Sequence, residues 1–182
     1  MTIARSLLAR LGLVRRGVPR DDTLTSDATK HDRRAMDRAL ELARGAAARG
    51  EVPVGAVVYE TATGHPLGEG SNAREERSDP AAHAEVEAIR AAARAVGDWR
   101  LNHCTLVVTL EPCAMCAGLI VNARVGRVVY GADDPKAGAC RSLYRLADDP
   151  RLNHRASLVT GLERESCAAL LREFFRARRN GS

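Results

Sequence analysis

CTLVVTLEPCAMCAGLIVNARVGRVVY, residues 104–130, is the stretch on which the fold turns. Residues 104–109 are β-branched and apolar on both faces, the composition of a strand buried in the middle of a sheet. Pro112 ends that strand because it cannot donate to a ladder; residues 113–123 then read as a helix, and 125–130 as the next strand. Upstream, the spacing predicts a helix over 82–96, preceded by Asp79-Pro80 and closed by Gly97. Two strand-like runs, 52–59 and 67–72, flank the turn signal Thr63-Gly64. The first helix has apolar positions at Met36, Ala39, Leu40, Ala43 and Ala47, with Asp32 as its expected cap and Gly50 as its stop. Downstream come a strand over 156–160 and a helix over 163–179. Helices alternating with buried strands predict the α/β class, a sheet covered on both faces, with reactive groups gathered where strands end and helices begin.

Composition sets the limits. The chain of 182 residues is 45% hydrophobic, enough for one domain with a sizeable core. No run of 18 or more apolar residues exists, so no membrane-spanning segment is expected. Five cysteines, an odd number, fit a reducing compartment better than a disulfide framework, and the expected location is the cytoplasm. The net charge of +5 looks like a nucleic-acid signal, but 1–30 holds six basic and three acidic side chains, leaving only +2 for 31–182. Bulk charge is therefore silent, and only local clusters can speak. The first 20 residues carry five arginines and no acid, as organelle transit peptides do, but arginine makes up 26 of the 28 basic residues throughout the chain. Arg10 interrupts the short apolar run there, which argues against a secretory signal. The expected organisation is a disordered N-terminal extension, 1–30, and one domain, 31–182, whose chemistry lies in two short motifs.

These are His83-Ala84-Glu85 and Pro112-Cys113-Ala114-Met115-Cys116, each at the start of a helix. A helix N-terminus favours thiolate, the form that binds metal, and i,i+3 spacing puts both sulfurs on one face of the first turn. One histidine and two cysteines make three protein ligands for a single Zn2+, leaving the fourth position to water, which is the count of a catalytic rather than a structural site. Glu85 is the expected proton shuttle. Taken alone, a His-x-Glu is more often a solvated helix face, and a Cys-x-x-Cys could be a redox pair or half of a structural zinc site. A redox reading leaves His83 and Glu85 unused. A structural site would need a fourth ligand from Cys104, Cys140, Cys167, His103 or His154, none of which has a second ligand at close spacing. The three remaining cysteines read as ordinary buried or half-buried thiols.

The paired motifs carry the H-x-E…P-C-x-x-C pattern of zinc-dependent nucleobase deaminases. Beyond them, the chain resembles the bacterial tRNA-specific adenosine deaminases over about residues 32–180, in EVPVGAVV (51–58), GEGSN (68–72), DPAAHAE (79–85), TLEPCAMCAG (109–118), RVGRVVYGADDPKAGA (124–139) and CAALLREFFRARR (167–179). The zinc motifs are shared with cytidine, guanine and riboflavin-pathway deaminases, so they give reaction type; the other stretches favour the tRNA enzymes. The resemblance implies a cytidine deaminase-like three-layer α/β/α sandwich on a mixed five-stranded sheet, and a homodimer with the third helix at its interface. It implies conversion of the wobble adenosine of the anticodon to inosine, by zinc-hydroxide attack at C6 with release of ammonia. Asn72, the backbone of Ala84, and Pro112 would meet the flipped base; Lys136, with Phe174, Phe175, Arg176, Arg178 and Arg179, would hold the tRNA anticodon loop.

Each RNA contact has a plainer reading. Phe174 shares a helical stripe with Cys167, Leu170 and Leu171 and fits core packing better than a stacking platform. The arginines could be a solvated helix end, Asn72 a turn residue and Lys136 a surface lysine. The chain departs from the family's pattern in its longer extension, in Asp133 where a basic residue is common, and in Arg141 where glycine is frequent. The rival functions are a free-base or nucleoside deaminase of the same superfamily and a non-catalytic zinc-bearing RNA-binding module.

Overall fold

The computed structural model describes residues 27–180, so residues 1–26 of the expected extension lie outside the described residues. In chain order the elements are α1 (Lys30–Ala48), β1 (Gly55–Glu60), β2 (Pro66–Ser71), α2 (Arg74–Arg77), α3 (Ala84–Val96), β3 (Cys104–Leu110), α4 (Ala114–Asn122), β4 (Arg127–Ala132), β5 (Ser157–Thr160) and α5 (Arg164–Asn180). The strands form one sheet in the order β2-β1-β3-β4-β5. β1 runs antiparallel to β2 and β3, whereas β3, β4 and β5 are mutually parallel, so the sheet is mixed as expected.

Alternation along the central strands decides the layers. Val57, Val107 and Val129 face one side, where they pack with Met36, Ala39 and Leu40 of α1 and Cys167 of α5. Their neighbours Val58, Leu106, Val108 and Val128 face the other, against Ala88 and Ile89 of α3 and Ala117 and Ile120 of α4. Both faces of the sheet are buried, which is why its strands read as continuous apolar runs, and the result is the three-layer sandwich.

Two local readings differ. The cap of α1 is Thr29, not Asp32: the Thr29 hydroxyl accepts from the Asp32 N–H at 3.1 Å, and Asp32 reaches back to the Thr29 N–H at 2.6 Å, a capping box with the acid at its third position. Asp32 is fully buried because it has a second task. It receives Arg127 of β4 at 2.6 and 2.9 Å and the Tyr59 hydroxyl of β1 at 2.6 Å, fastening α1 to the sheet. The second difference is α2, a single turn between β2 and α3 that carries no apolar stripe for periodicity to find; its backbone is held from outside, the Glu76 N–H donating to buried Glu51 at 2.9 Å.

The helix that matters most for the site, α3, lies very close to β2. A Cβ on Gly70 would stand 2.3 Å from the Ala84 carbonyl oxygen, so only glycine lets helix and strand meet there.

Candidate active site

His83 is the residue before α3, in extended conformation (φ −84°, ψ 149°), and Cys113 holds the same place before α4 (φ −71°, ψ 175°). The two helix starts meet across the end of β3. His83 Nδ1 lies 3.7 Å from Cys113 Sγ and 3.5 Å from Cys116 Sγ, and the three ligand atoms all fall within 4.8 Å of one another. This is the one such cluster among the described residues. Zinc–nitrogen and zinc–sulfur bonds of about 2.0 and 2.3 Å at tetrahedral angles require N···S edges of roughly 3.5–3.6 Å. The observed edges match, so the donor set fits a tetrahedral ion in size as well as in chemistry. His83 and Cys113 are half-buried and Cys116 is buried, a closed floor with an accessible side.

The electrostatics are those of a coupled cluster. Cys113 is pulled down to about 3, first by a hydrogen bond from Cys116 and then, against burial, by His83. Cys116 is held up by that same bond to Cys113, by burial and by the nearby Glu85 charge. His83 is raised, chiefly by its hydrogen bond to Cys113. One sulfur is thus ready as thiolate, and the second gives up its proton only to a cation.

Glu85, in the first turn of α3, is 4% exposed. Burial pushes its carboxyl up, opposed by its own backbone N–H, by the charge on His83 and by the Cys116 thiol. A carboxyl raised toward neutrality beside a metal site can both take and give a proton. Two residues from His83 would point elsewhere in a regular helix, but His83 precedes the helix, and Glu85 feels the charges of His83 and Cys113 and the hydrogen bond of Cys116.

Asn72, at the end of β2, is buried, and its Oδ1 accepts the Ala84 N–H at 3.1 Å. It caps α3 from outside, a role invisible twelve residues upstream, and the amide NH2 is the donor it retains. Pro112 is buried and its carbonyl accepts the Ala139 N–H at 2.8 Å. Lys136 is exposed, on a turn where Asp134 Oδ1 accepts its N–H at 2.9 Å. At the far end of α5, Phe175 is 43% exposed and meets Phe174 edge-on at 5.4 Å; Arg178 lies over the Phe174 ring at 5.6 Å, and Arg176 and Arg179 are exposed. Phe174 is half-buried; of its stripe, Cys167 lies in the core and Leu170 packs against it. These α5 residues share one helix. The acid at Asp133 is answered by Arg164 at 2.7 Å. Cys104, Cys140 and Cys167 are buried, and burial pushes each thiol up, Cys167 to about 12, the behaviour of inert core sulfur.

Sequence reading passed over Glu111. It is 2% exposed, directly precedes Pro112, and accepts the N–H groups of Asp134, Cys140, Arg141 and Ser142 together with the Ser142 hydroxyl. An acid at the end of an apolar strand was the available signal.

Comparisons with known proteins place the chain among the deaminases. Residues 30–179 match the family described as MafB19-like deaminase. The chain is 45% identical over 151 residues to the tRNA-specific adenosine deaminase of Haemophilus influenzae, covering 83% of this chain and 87% of that one. It is similar to a solved tRNA:A34 deaminase studied for A-to-I editing at the wobble position of transfer RNA, with TM-score 0.72, 42% identity, and 76% and 99% of the two chains covered. The fold also matches the guanine deaminase of Nitrosomonas europaea, with TM-score 0.68, 26% identity, and 87% and 93% coverage.

Proposed function

Because the chain belongs to the family of tRNA-specific adenosine deaminases, within the MafB19-like deaminases, we propose that it hydrolyses the wobble adenosine of a tRNA anticodon to inosine and ammonia. The observation that carries the chemistry is the His83, Cys113 and Cys116 triangle, its edges sized for one zinc ion per chain, with a buried carboxyl beside it. When bound, such an ion supplies water acidified to near neutral pH. Glu85 does the rest of the proton work: it takes one proton from the attacking water and delivers it to the ring nitrogen next to C6, then takes the second proton from the new C6 hydroxyl and passes it to the amino group, which leaves as ammonia while the C6 carbonyl forms. Its raised pKa suits a group that must be base first and acid afterwards.

The base must leave its stack to reach this floor. Ala84 follows His83 and its N–H is held by Asn72, and Pro112 precedes Cys113, which is why these three are proposed to meet it. Lys136, Phe175, Arg178 and Arg179 are proposed to hold the anticodon loop, the cations on phosphate and the ring on an unstacked base. Residues 31–182 are assigned as the catalytic domain.

A homodimer is supported by α4, whose sequence AMCAGLIVN has no charged side chain although Met115 is 41% exposed. A helix apolar on every side is normally covered on every side. Five free thiols and a tRNA substrate suit the cytoplasm, and among the described residues no helix is long and apolar enough to cross a membrane.

The test offers the zinc-loaded protein an anticodon stem-loop with a wobble adenosine beside free adenosine, guanine and cytidine, and measures inosine and ammonia. Turnover of the stem-loop alone is expected. Turnover of guanine or a free nucleoside with an inert stem-loop would transfer the function to the small-molecule branch of the fold.

A further inference from the structure

A buried acid outside the metal cluster organises the wall beside it. Glu111 follows β3 and precedes Pro112 and Cys113, so its backbone continues directly into a metal ligand. Its carboxylate does not reach the cluster; it turns to the segment 134–142. One oxygen accepts the N–H groups of Cys140 at 3.1 Å, Arg141 at 2.6 Å and Ser142 at 2.8 Å, and the other accepts the Asp134 N–H at 3.0 Å and the Ser142 hydroxyl. No side chain fits between the two partners, since a Cβ on Gly138 would stand 2.3 Å from Glu111 Oε2. The backbone repeats the connection: Cys113 and Gly138 form an isolated antiparallel bridge, and the Ala139 N–H donates to the Pro112 carbonyl at 2.8 Å.

The segment between β4 and β5, 133–156, contains no regular helix or strand to hold its shape. Its first half is shaped instead by one charged acceptor, and hydrogen bonds to a charged group are stronger than neutral ones. The same segment carries exposed Lys136, and just past it Leu143 and Tyr144, 50% and 62% exposed, whose N–H groups bond the Gly138 carbonyl at 3.0 and 3.3 Å. A cation and an exposed ring therefore stand on a loop clamped to the residue beside Cys113.

We propose that Glu111 is a positioning residue for the reaction: its carboxylate fixes the 134–142 segment against the metal-ligand turn as the wall that an RNA substrate meets. The inference rests on the reading of the substrate as tRNA. Glu111 contributes to engaging the polynucleotide and not to the proton transfers.

The test compares zinc-loaded full-length wild type, Glu111→Gln and Ser142→Ala on the anticodon stem-loop, with zinc content and amide hydrogen exchange measured on the same samples. Gln keeps one carbonyl oxygen but presents NH2 where the other acceptor was, facing the Asp134 N–H; Ala at 142 removes the hydroxyl alone. For Glu111→Gln the expected result is one zinc per chain, KM raised about tenfold, kcat within about threefold, and faster exchange at Cys140, Arg141 and Ser142. Ser142→Ala is expected to move KM the same way by about two- to threefold, and it decides the matter by itself should Glu111→Gln not fold. Unchanged KM in the folded variants overturns the proposal, as does a fall in kcat with zinc loss at constant KM, which would make Glu111 a support of the metal alone. A wild type that forms no inosine on the stem-loop fails the tRNA reading, whatever the variants do.

Discussion

Gly70→Ala tests how rigidly the sheet positions the chemistry. The new Cβ would lie 2.3 Å from the Ala84 carbonyl oxygen, 2.7 Å from the Ala88 nitrogen and 2.8 Å from the Glu87 Cβ, where ordinary contact begins at 3.4 Å. Two of the three obstacles are backbone, so no rotamer change relieves them, and α3 must move off β2 by about 1 Å. Overpacking of this kind costs about 1–3 kcal/mol. The functional cost is larger in proportion, because the displaced residues adjoin His83 and include the turn that carries Glu85; a shift of about 1 Å at reacting groups can cost about 100-fold in rate. Urea unfolding gives the first number and steady-state inosine formation on a stem-loop, at saturating zinc, gives the second. Gly45→Ala is the control: its Cβ meets only the Arg49 guanidinium at 3.6 Å, inside α1, and should stabilise by about 0.5–1 kcal/mol with turnover unchanged. A Gly70→Ala protein as stable and as fast as wild type would show that α3 yields freely, and the account of how β2 fixes the site would be wrong.

Glu85→Ala should retain zinc, by metal analysis, and stem-loop binding, by filter retention, while inosine formation falls about 100-fold or more; unchanged turnover removes Glu85 from the mechanism. Asp32→Ala leaves Arg127 and the Tyr59 hydroxyl without their buried acceptor and should cost about 3 kcal/mol at pH 7 by urea unfolding. Burial alone would raise the Asp32 carboxyl, but Arg127, Tyr59 and Thr29 together hold it below its ordinary value. Its contribution is therefore complete above about pH 4 and is lost as pH falls through the lowered value, so the gap between wild type and variant should be constant from pH 5 to 8 and close in acid; a gap that widens in acid contradicts the pairing. Met115→Arg should turn a homodimer into monomers in sedimentation if α4 is the interface, and an unchanged mass places the contact elsewhere.

The cluster of His83, Cys113 and Cys116 was legible because each motif is local: the i,i+3 cysteines and the His-x-Glu sit at helix starts whose signals, Asp79-Pro80 and Pro112, lie within a few residues. The strands were legible for a similar reason, since burial on both faces leaves an unbroken apolar run such as 104–109. Boundaries were less secure: the first strand begins at Gly55 rather than at 52, where Val54 still bonds the Val52 carbonyl within the approach. Asp32 was recognised as a helix-start residue but misplaced by three positions, because its burial depends on Arg127, 95 residues away. Asn72 had a role by resemblance and was found to have another, since only the fold brings it against the Ala84 N–H.

By itself the sequence determined the class of the fold and singled out His83, Cys113 and Cys116 as candidate ligands with Glu85 nearby, because helix periodicity, buried strands and residue spacing are properties of neighbours along the chain. Tertiary structure alone decided that the two helix starts meet at distances fit for one ion, that glycines let α3 lie on β2, and that Glu111 rather than any regular element shapes the loop beside Cys113. Those are contacts between residues far apart in the chain, set by the packing of both faces of one sheet, and no local pattern encodes them.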